Sequence, residues 1–230
     1  MVPVHPERLK PLSRGTVYLK DPAVLGFIRR YLKENLRGPY LEIGPGRGDI
    51  TREIPDPKTL VECDFRHKDC LSSFSNYIHW DRIENVDPAL LRDCRTVVSN
   101  LPYGGGVGIL VHCVKSLPEV EAYLVILQHQ VVEKILGKKS VLSHKMLHLF
   151  EVLKIRDIER ESFSPVPSVR GALTLLRPKR DIDWGYVEFL NRIRHPRKKL
   201  KNNDVSTSCE KRLEDLTPQE LLSQYHRSLC

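Results

Sequence analysis

Between two short apolar runs, Tyr40–Ile43 and Thr59–Glu62, the chain places Glu42-Ile43-Gly44-Pro45-Gly46-Arg47-Gly48. A strand that runs into glycine at every second position can turn sharply, and it leaves backbone N–H groups that no side chain covers. A ligand can therefore come close to the backbone there. The glycines alone leave three readings open: a dinucleotide turn, a turn for another adenosyl cofactor, and a tight turn with only a structural role.

The spacing narrows these readings. An acid just ahead of Gly-x-Gly-x-Gly is the pattern of class I methyltransferases, whereas dehydrogenase turns read Gly-x-Gly-x-x-Gly. Glu42, Gly44 and Gly46 are therefore candidate cofactor residues. Glu62 ends the second run, eighteen residues after Gly44, where a carboxylate can accept from both ribose hydroxyls of an adenosyl group. Asp81 follows a third run, Tyr77–Trp80, and is placed to accept from the adenine amine, with Ile78 and Ile83 as apolar surface for the ring. Together these predict S-adenosylmethionine as the cofactor.

The remaining pattern extends the same architecture. Asp21-Pro22 reads as an N-cap with proline in the first turn, ahead of an apolar helical face of Val24, Leu25, Ile28 and Leu32, and Gly38 ends that helix. Thr96–Ser99 and Ala122–Leu127 are further strands, with a helical pattern at Val107–Leu117 between them. Such alternation predicts an α/β fold, a mostly parallel doubly wound Rossmann-like sheet. Leu153–Ile158 and Ala172–Leu176 stand too close together for a helical crossover, so the final pair should be antiparallel. From Lys179 the composition shifts, with six Lys or Arg among residues 192–201 and a capped amphipathic helix at Leu216–His226. The expected division is a cofactor-binding domain over residues 1–178 and a small basic helical domain over 179–230.

Thirty-seven Lys and Arg against 29 Asp and Glu give a formal charge of +8, which favours a polyanionic partner such as nucleic acid. The six cysteines form no C-x-x-C pair, and reduced thiols are expected. His144 and His148 lack the glutamate of a zinc-binding H-E-x-x-H helix, so no metal is expected. No apolar run is long enough to span a bilayer, and the opening Met-Val-Pro-Val-His-Pro does not read as a leader, so a cytoplasmic protein without membrane contact is expected.

Asn100-Leu101-Pro102-Tyr103 follows a strand and suits a planar amine whose lone pair is delocalised into its ring. The Asn100 side-chain oxygen and a backbone carbonyl of Leu-Pro can each accept one amine hydrogen and turn the lone pair toward a donor methyl. Tyr103 can stack on a base swung out of its helix. No activated His or Cys is required.

With Gly15–Pro22, Glu42–Gly48, Val61-Glu62, Asp81, Asn100–Tyr103, Leu127-Gln128 and Phe163–Val169 in this order, the chain resembles the ribosomal RNA adenine dimethyltransferases, the KsgA family, whose relatives include the Erm methyltransferases and mitochondrial transcription factor B. The resemblance spans roughly residues 8–203. It implies that Val17 and Leu19 join Gly44, Glu62, Asp81 and Asn100 around the cofactor, and that Phe163 supplies a second aromatic wall for the adenine. It also implies N6,N6-dimethylation of two adjacent adenosines near the 3' end of small-subunit rRNA, on a ribosomal particle late in assembly, by a monomer.

Thr16, Trp80 and Gly104-Gly105-Gly106 depart from the family pattern, and the C-terminal part is shorter. Arg197, Lys198, Lys199 and Lys201 match its basic start and are candidate RNA contacts. Two other readings are a non-catalytic assembly or transcription factor that keeps the fold, and a DNA adenine methyltransferase. Intact Asn100, Pro102, Tyr103 and Phe163 argue against the first. The Phe163 segment and the order of the motifs favour RNA over DNA.

Overall fold

The computed structural model describes residues 17–75, 77–137 and 139–229. Gly15, Thr16 and the opening residues lie outside the described residues. In chain order the elements are β1 (Tyr18–Leu19), α1 (Pro22–Asn35), β2 (Tyr40–Ile43), β3 (Lys58–Val61), α2 (Lys68–Leu71), β4 (Ile78–His79), β5 (Thr96–Asn100), α3 (Gly106–Ser116), β6 (Ala122–Gln128), α4 (His129–Gly137), α5 (Val141–Leu149), β7 (Phe150–Ile158), β8 (Phe163–Ser164), β9 (Gly171–Pro178), α6 (Trp184–Arg192) and α7 (Pro218–Arg227).

They fall into two compact units. One runs up to His129 and takes in Leu153–Pro178; the other comprises Gln130–Val152 and the segment from Lys179 onward.

The main sheet has seven strands in the order β4-β3-β2-β5-β6-β9-β7. β2 pairs parallel with β3 and β5, β3 with β4, and β5 with β6, while β9 runs antiparallel to β6 with Val125 opposite Thr174. The expected α/β sheet with an antiparallel late strand is therefore present. The strand order reverses between β2 and β5, and α/β sheets bind ligands beyond the strand ends at such a switch point. β2 is buried along its whole length and β6 nearly so, as central strands covered on both faces must be.

Asp21 caps α1 by accepting from the backbone N–H groups of Ala23 and Val24, and Val24, Ile28 and Leu32 form the buried face of that helix. A second, two-stranded sheet pairs β1 antiparallel with β8, placing Leu19 opposite Phe163.

In the second unit, Tyr186, Phe189, Leu190, Leu213, Leu221 and Tyr225 belong to one apolar cluster. Thr217 and Glu220 form a reciprocal capping box at the start of α7. The basic run does not continue α6 beyond Arg192. Pro196 has no N–H to give a helix, and the run ends instead in a bridge between Lys199 and Arg212.

Candidate active site

Beyond the carboxyl ends of β2, β3 and β5 lies a cavity of about 420 Å³, of a size that encloses a nucleoside-sized ligand. Gly44 and Gly46 have φ values of +68° and +57°, a left-handed conformation that side chains other than glycine adopt at a cost. The Gly44 N–H is drawn back to the Val61 carbonyl at 2.9 Å, while the Gly46 N–H donates to Glu62 Oε2 at 2.8 Å. Glu62 Oε1 in turn accepts from the Asp64 N–H at 2.7 Å. The acid at the end of β3 is thus locked to the glycine turn after β2, although it is only 4% exposed. A Cβ on Gly46 would stand 2.8 Å from the Tyr18 ring, so the turn is close-packed as well as left-handed.

Among the expected site residues, Val17, Leu19, Gly44, Gly46, Glu62, Asp81, Asn100 and Pro102 line this cavity. Asp81 accepts from the Arg82 N–H at 2.7 Å and from the Asn85 amide at 2.8 Å through the same oxygen. Ile83 contributes apolar lining, whereas Ile78 does not. The charges around the cavity are mostly negative: Asp49, Glu62, Asp81 and Glu84 against Arg82.

Asn100 ends β5, and its side-chain Nδ2 donates to the Val17 carbonyl at 2.7 Å. That bond identifies the nitrogen and leaves Oδ1 buried without a partner. An unpaired buried acceptor costs stability, so its presence in the cavity wall marks a place for a donor. The Pro102 carbonyl is occupied by the N–H groups of Gly105 and Gly106, at 3.3 and 3.0 Å. Gly104 and Gly105 line the cavity, and a Cβ on either would meet nothing within 4 Å.

Three expected residues stand elsewhere. Glu42 is buried under the turn and does not line the cavity. Burial, with the nearby charge of Glu62, pushes its carboxyl up to about 8. Tyr103 is half-buried outside the cavity lining, with its hydroxyl unpartnered and its pKa raised by burial. Phe163, expected as an aromatic wall, is fully buried in the core cluster with Leu19, Ile126 and Leu173. Its ring fills the space where Gly171 has no side chain, 2.9 Å from where a Cβ would stand, so it supports Leu19 from behind and does not face the cavity. Trp80 packs edge-on against Phe65 and does not line the cavity.

Tyr18, Cys63 and His67, which no sequence pattern singles out, also line the cavity. Tyr18 sits between two residues that were expected, and the periodicity carried no signal for the other two. Burial raises the Cys63 thiol to about 11, which keeps it protonated and inert as a nucleophile.

The candidate RNA contacts lie in the second unit. Lys199 bonds to Glu210 at 2.7 Å, and Lys201 is paired with the other oxygen of the same carboxylate. Arg197 and Lys198 are exposed in the turn that follows α6.

The family described as "Ribosomal RNA adenine dimethylase" matches residues 12–224. Among curated proteins, the chain is similar to the ribosomal RNA small subunit methyltransferase A of Anaplasma phagocytophilum, with 27% identity over 86% of this chain and 81% of that protein. It is also similar to the protein of the same name from Deinococcus radiodurans, with 28% identity over 85% and 72% of the two chains. Among solved structures, a dimethyladenosine transferase from Plasmodium falciparum shares the fold, with a TM-score of 0.70 and 19% identity over 91% of this chain and 98% of that one. The 23S rRNA methyltransferase ErmE shares it with a TM-score of 0.64 and 21% identity over 93% and 100%.

Proposed function

The chain belongs to the ribosomal RNA adenine dimethylase family, and from that premise we propose that it dimethylates N6 of two adjacent adenosines near the 3' end of small-subunit rRNA, within a ribosomal particle under assembly. It is an S-adenosylmethionine-dependent rRNA adenine methyltransferase. In this reading the enzyme works as a monomer in the cytoplasm. Among the described residues no helix is long and apolar enough to cross a membrane.

The cavity residues fit the methyl donor in three respects. The turn has no side chain at Gly44 and nothing stands where a Cβ would be, so a ligand can lie against its backbone. Glu62 and Asp81 stand at successive strand ends, where a ribose and an adenine amine would need acceptors. The surplus of carboxylates suits a ligand carrying a sulfonium and an ammonium group. Val17, Leu19, Gly44, Gly46, Glu62, Asp81 and Ile83 would hold it, with Glu42 supporting the turn from below. When bound, it supplies an electrophilic methyl group on sulfur, whose leaving group is a neutral thioether.

The observation that carries the catalytic reading is the unpartnered Oδ1 of Asn100. That oxygen accepts one hydrogen of the adenine amine. The Pro102 carbonyl is engaged by the start of α3, so the Leu101 carbonyl is the second acceptor in this reading. Two acceptors draw the amine away from planarity and release its lone pair for in-line attack. The amine becomes acidic as it gains a methyl, so its proton passes to water without a strong base. Tyr103 stacks on the base, and Phe163 holds the wall in place through Leu19. Arg197, Lys198, Lys199 and Lys201, in the basic segment from 179 to 230, meet RNA phosphates.

A labelled-methyl assay on immature small ribosomal subunits, naked rRNA and DNA, with Asn100→Ala as control, tests this function. The expected result is transfer chiefly to the immature subunit. No transfer to any of the three would favour the non-catalytic assembly factor, and transfer chiefly to DNA would overturn the substrate.

A further inference from the structure

Three side chains on one wall of the cavity form a connected row. The Tyr18 hydroxyl lies 3.2 Å from His67 Nε2, and His67 Nδ1 lies 3.7 Å from Glu62 Oε2. His67 Nδ1 is buried and has no hydrogen-bond partner, and the imidazole is 13% exposed. Of the two neutral tautomers, one would aim a lone pair at the carboxylate and strand a buried acceptor beside it. The other places N–H toward Glu62 and lets Nε2 accept from the Tyr18 hydroxyl, which leaves every group facing a complementary one. The Tyr18 ring is held in turn. His67 meets it edge-on with centroids 6.0 Å apart, and the Arg47 guanidinium stands 4.0 Å above it. The ring also packs against the bare backbone of Gly46.

Glu62 needs this help. Its two oxygens are each tethered by one backbone N–H, from Gly46 and Asp64, and both tethers come from turns. His67, just ahead of α2, stands 3.7 Å from the same carboxylate and meets the Tyr18 hydroxyl of β1 at 3.2 Å. We propose that His67 is a positioning residue for cofactor capture, holding Glu62 and Tyr18 in one fixed wall around the glycine turn. This rests on the assignment of Glu62 to the methyl donor made above.

The experiment is calorimetric titration of the full-length protein with S-adenosylhomocysteine, for the wild type, His67→Ala, His67→Asn and Tyr18→Phe. Melting temperatures confirm that each variant is folded. His67→Ala should weaken binding by about tenfold, and Tyr18→Phe, which removes only the hydroxyl, by roughly threefold. His67→Asn keeps a donor near the place of Nδ1 and should bring affinity back to within about threefold of the wild type. A purely structural histidine would give no such rescue. In steady-state assays the His67→Ala loss should fall more heavily on the cofactor KM than on kcat. If the wild type binds and His67→Ala binds equally well, or if His67→Asn is as weak as His67→Ala, the proposal is overturned while the cofactor assignment stands. If the wild type itself does not bind, both fall.

Discussion

The side-chain nitrogen of Asn100 donates to the backbone carbonyl of Val17 at 2.7 Å, across 83 positions of chain. One bond thereby sets which atom of the amide is left as acceptor. Asn100→Ala removes that acceptor, and single-turnover methyl transfer at saturating cofactor should fall by about a hundredfold or more. Asn100→Asp should be no better, because a carboxylate cannot donate to Val17 and would be repelled by its carbonyl. Near-wild-type turnover by Asn100→Asp would show that the orientation of the amide is irrelevant.

Glu62 is the acceptor assigned to the ribose. Glu62→Ala should weaken binding of S-adenosylmethionine at least tenfold, a change of about 1.4 kcal/mol. Calorimetry measures this directly, and an unchanged affinity would remove Glu62 from the site.

Glu42 makes stability depend on pH. Its carboxyl is raised to about 8 by burial, while in the unfolded chain it titrates in the ordinary range near 4.5. Between these values the folded state holds the extra proton, so the Glu42 contribution to stability is full below the lower value. It declines as pH rises toward 8. Urea denaturation across that window should show a downward slope in the wild type that flattens in Glu42→Gln. The variant should be the more stable protein at alkaline pH.

The basic segment predicts a particular salt response. If four cations meet single-stranded phosphates, log affinity for RNA should fall with log salt at a slope of roughly −3, and reversing Arg197 and Lys198 should flatten it by at least about 1.4. Lys199 and Lys201 already share Glu210. Glu210→Gln should therefore free both, raise affinity at low salt and steepen the slope. Filter binding across a salt series separates these outcomes.

The parts of this molecule that were legible in advance are those with local grammar. Asp21-Pro22 announced α1, the alternate glycines announced the turn after β2, and the acids at 62 and 81 fell where strand ends predicted them. Side-chain direction was not legible. Phe163 carries a motif that resembles an aromatic wall, yet its pairing with Leu19 turns its ring into the core. Nothing in the spacing of Tyr18 and His67, 49 positions apart, said that they would touch. The second unit poses the same difficulty. Lys179 Nζ donates to the Leu147 carbonyl at 2.7 Å, a tie between segments that no local pattern connects. Glu210 likewise claims two lysines that composition alone would count as free.

The small β1–β8 sheet bears on how the protein is made. Ser162 donates its hydroxyl proton to the cap residue Asp21 at 2.8 Å, and the two lie 141 positions apart. Leu19, which lines the cavity, is paired with Phe163 in the same place. Closing so long a loop carries an entropic cost that short-range contacts do not offset. A ribosome synthesising this chain must therefore release residue 164 from its tunnel before the wall around Val17, Tyr18 and Leu19 can be completed. Until then the nascent protein has no finished pocket in which to retain a methyl donor.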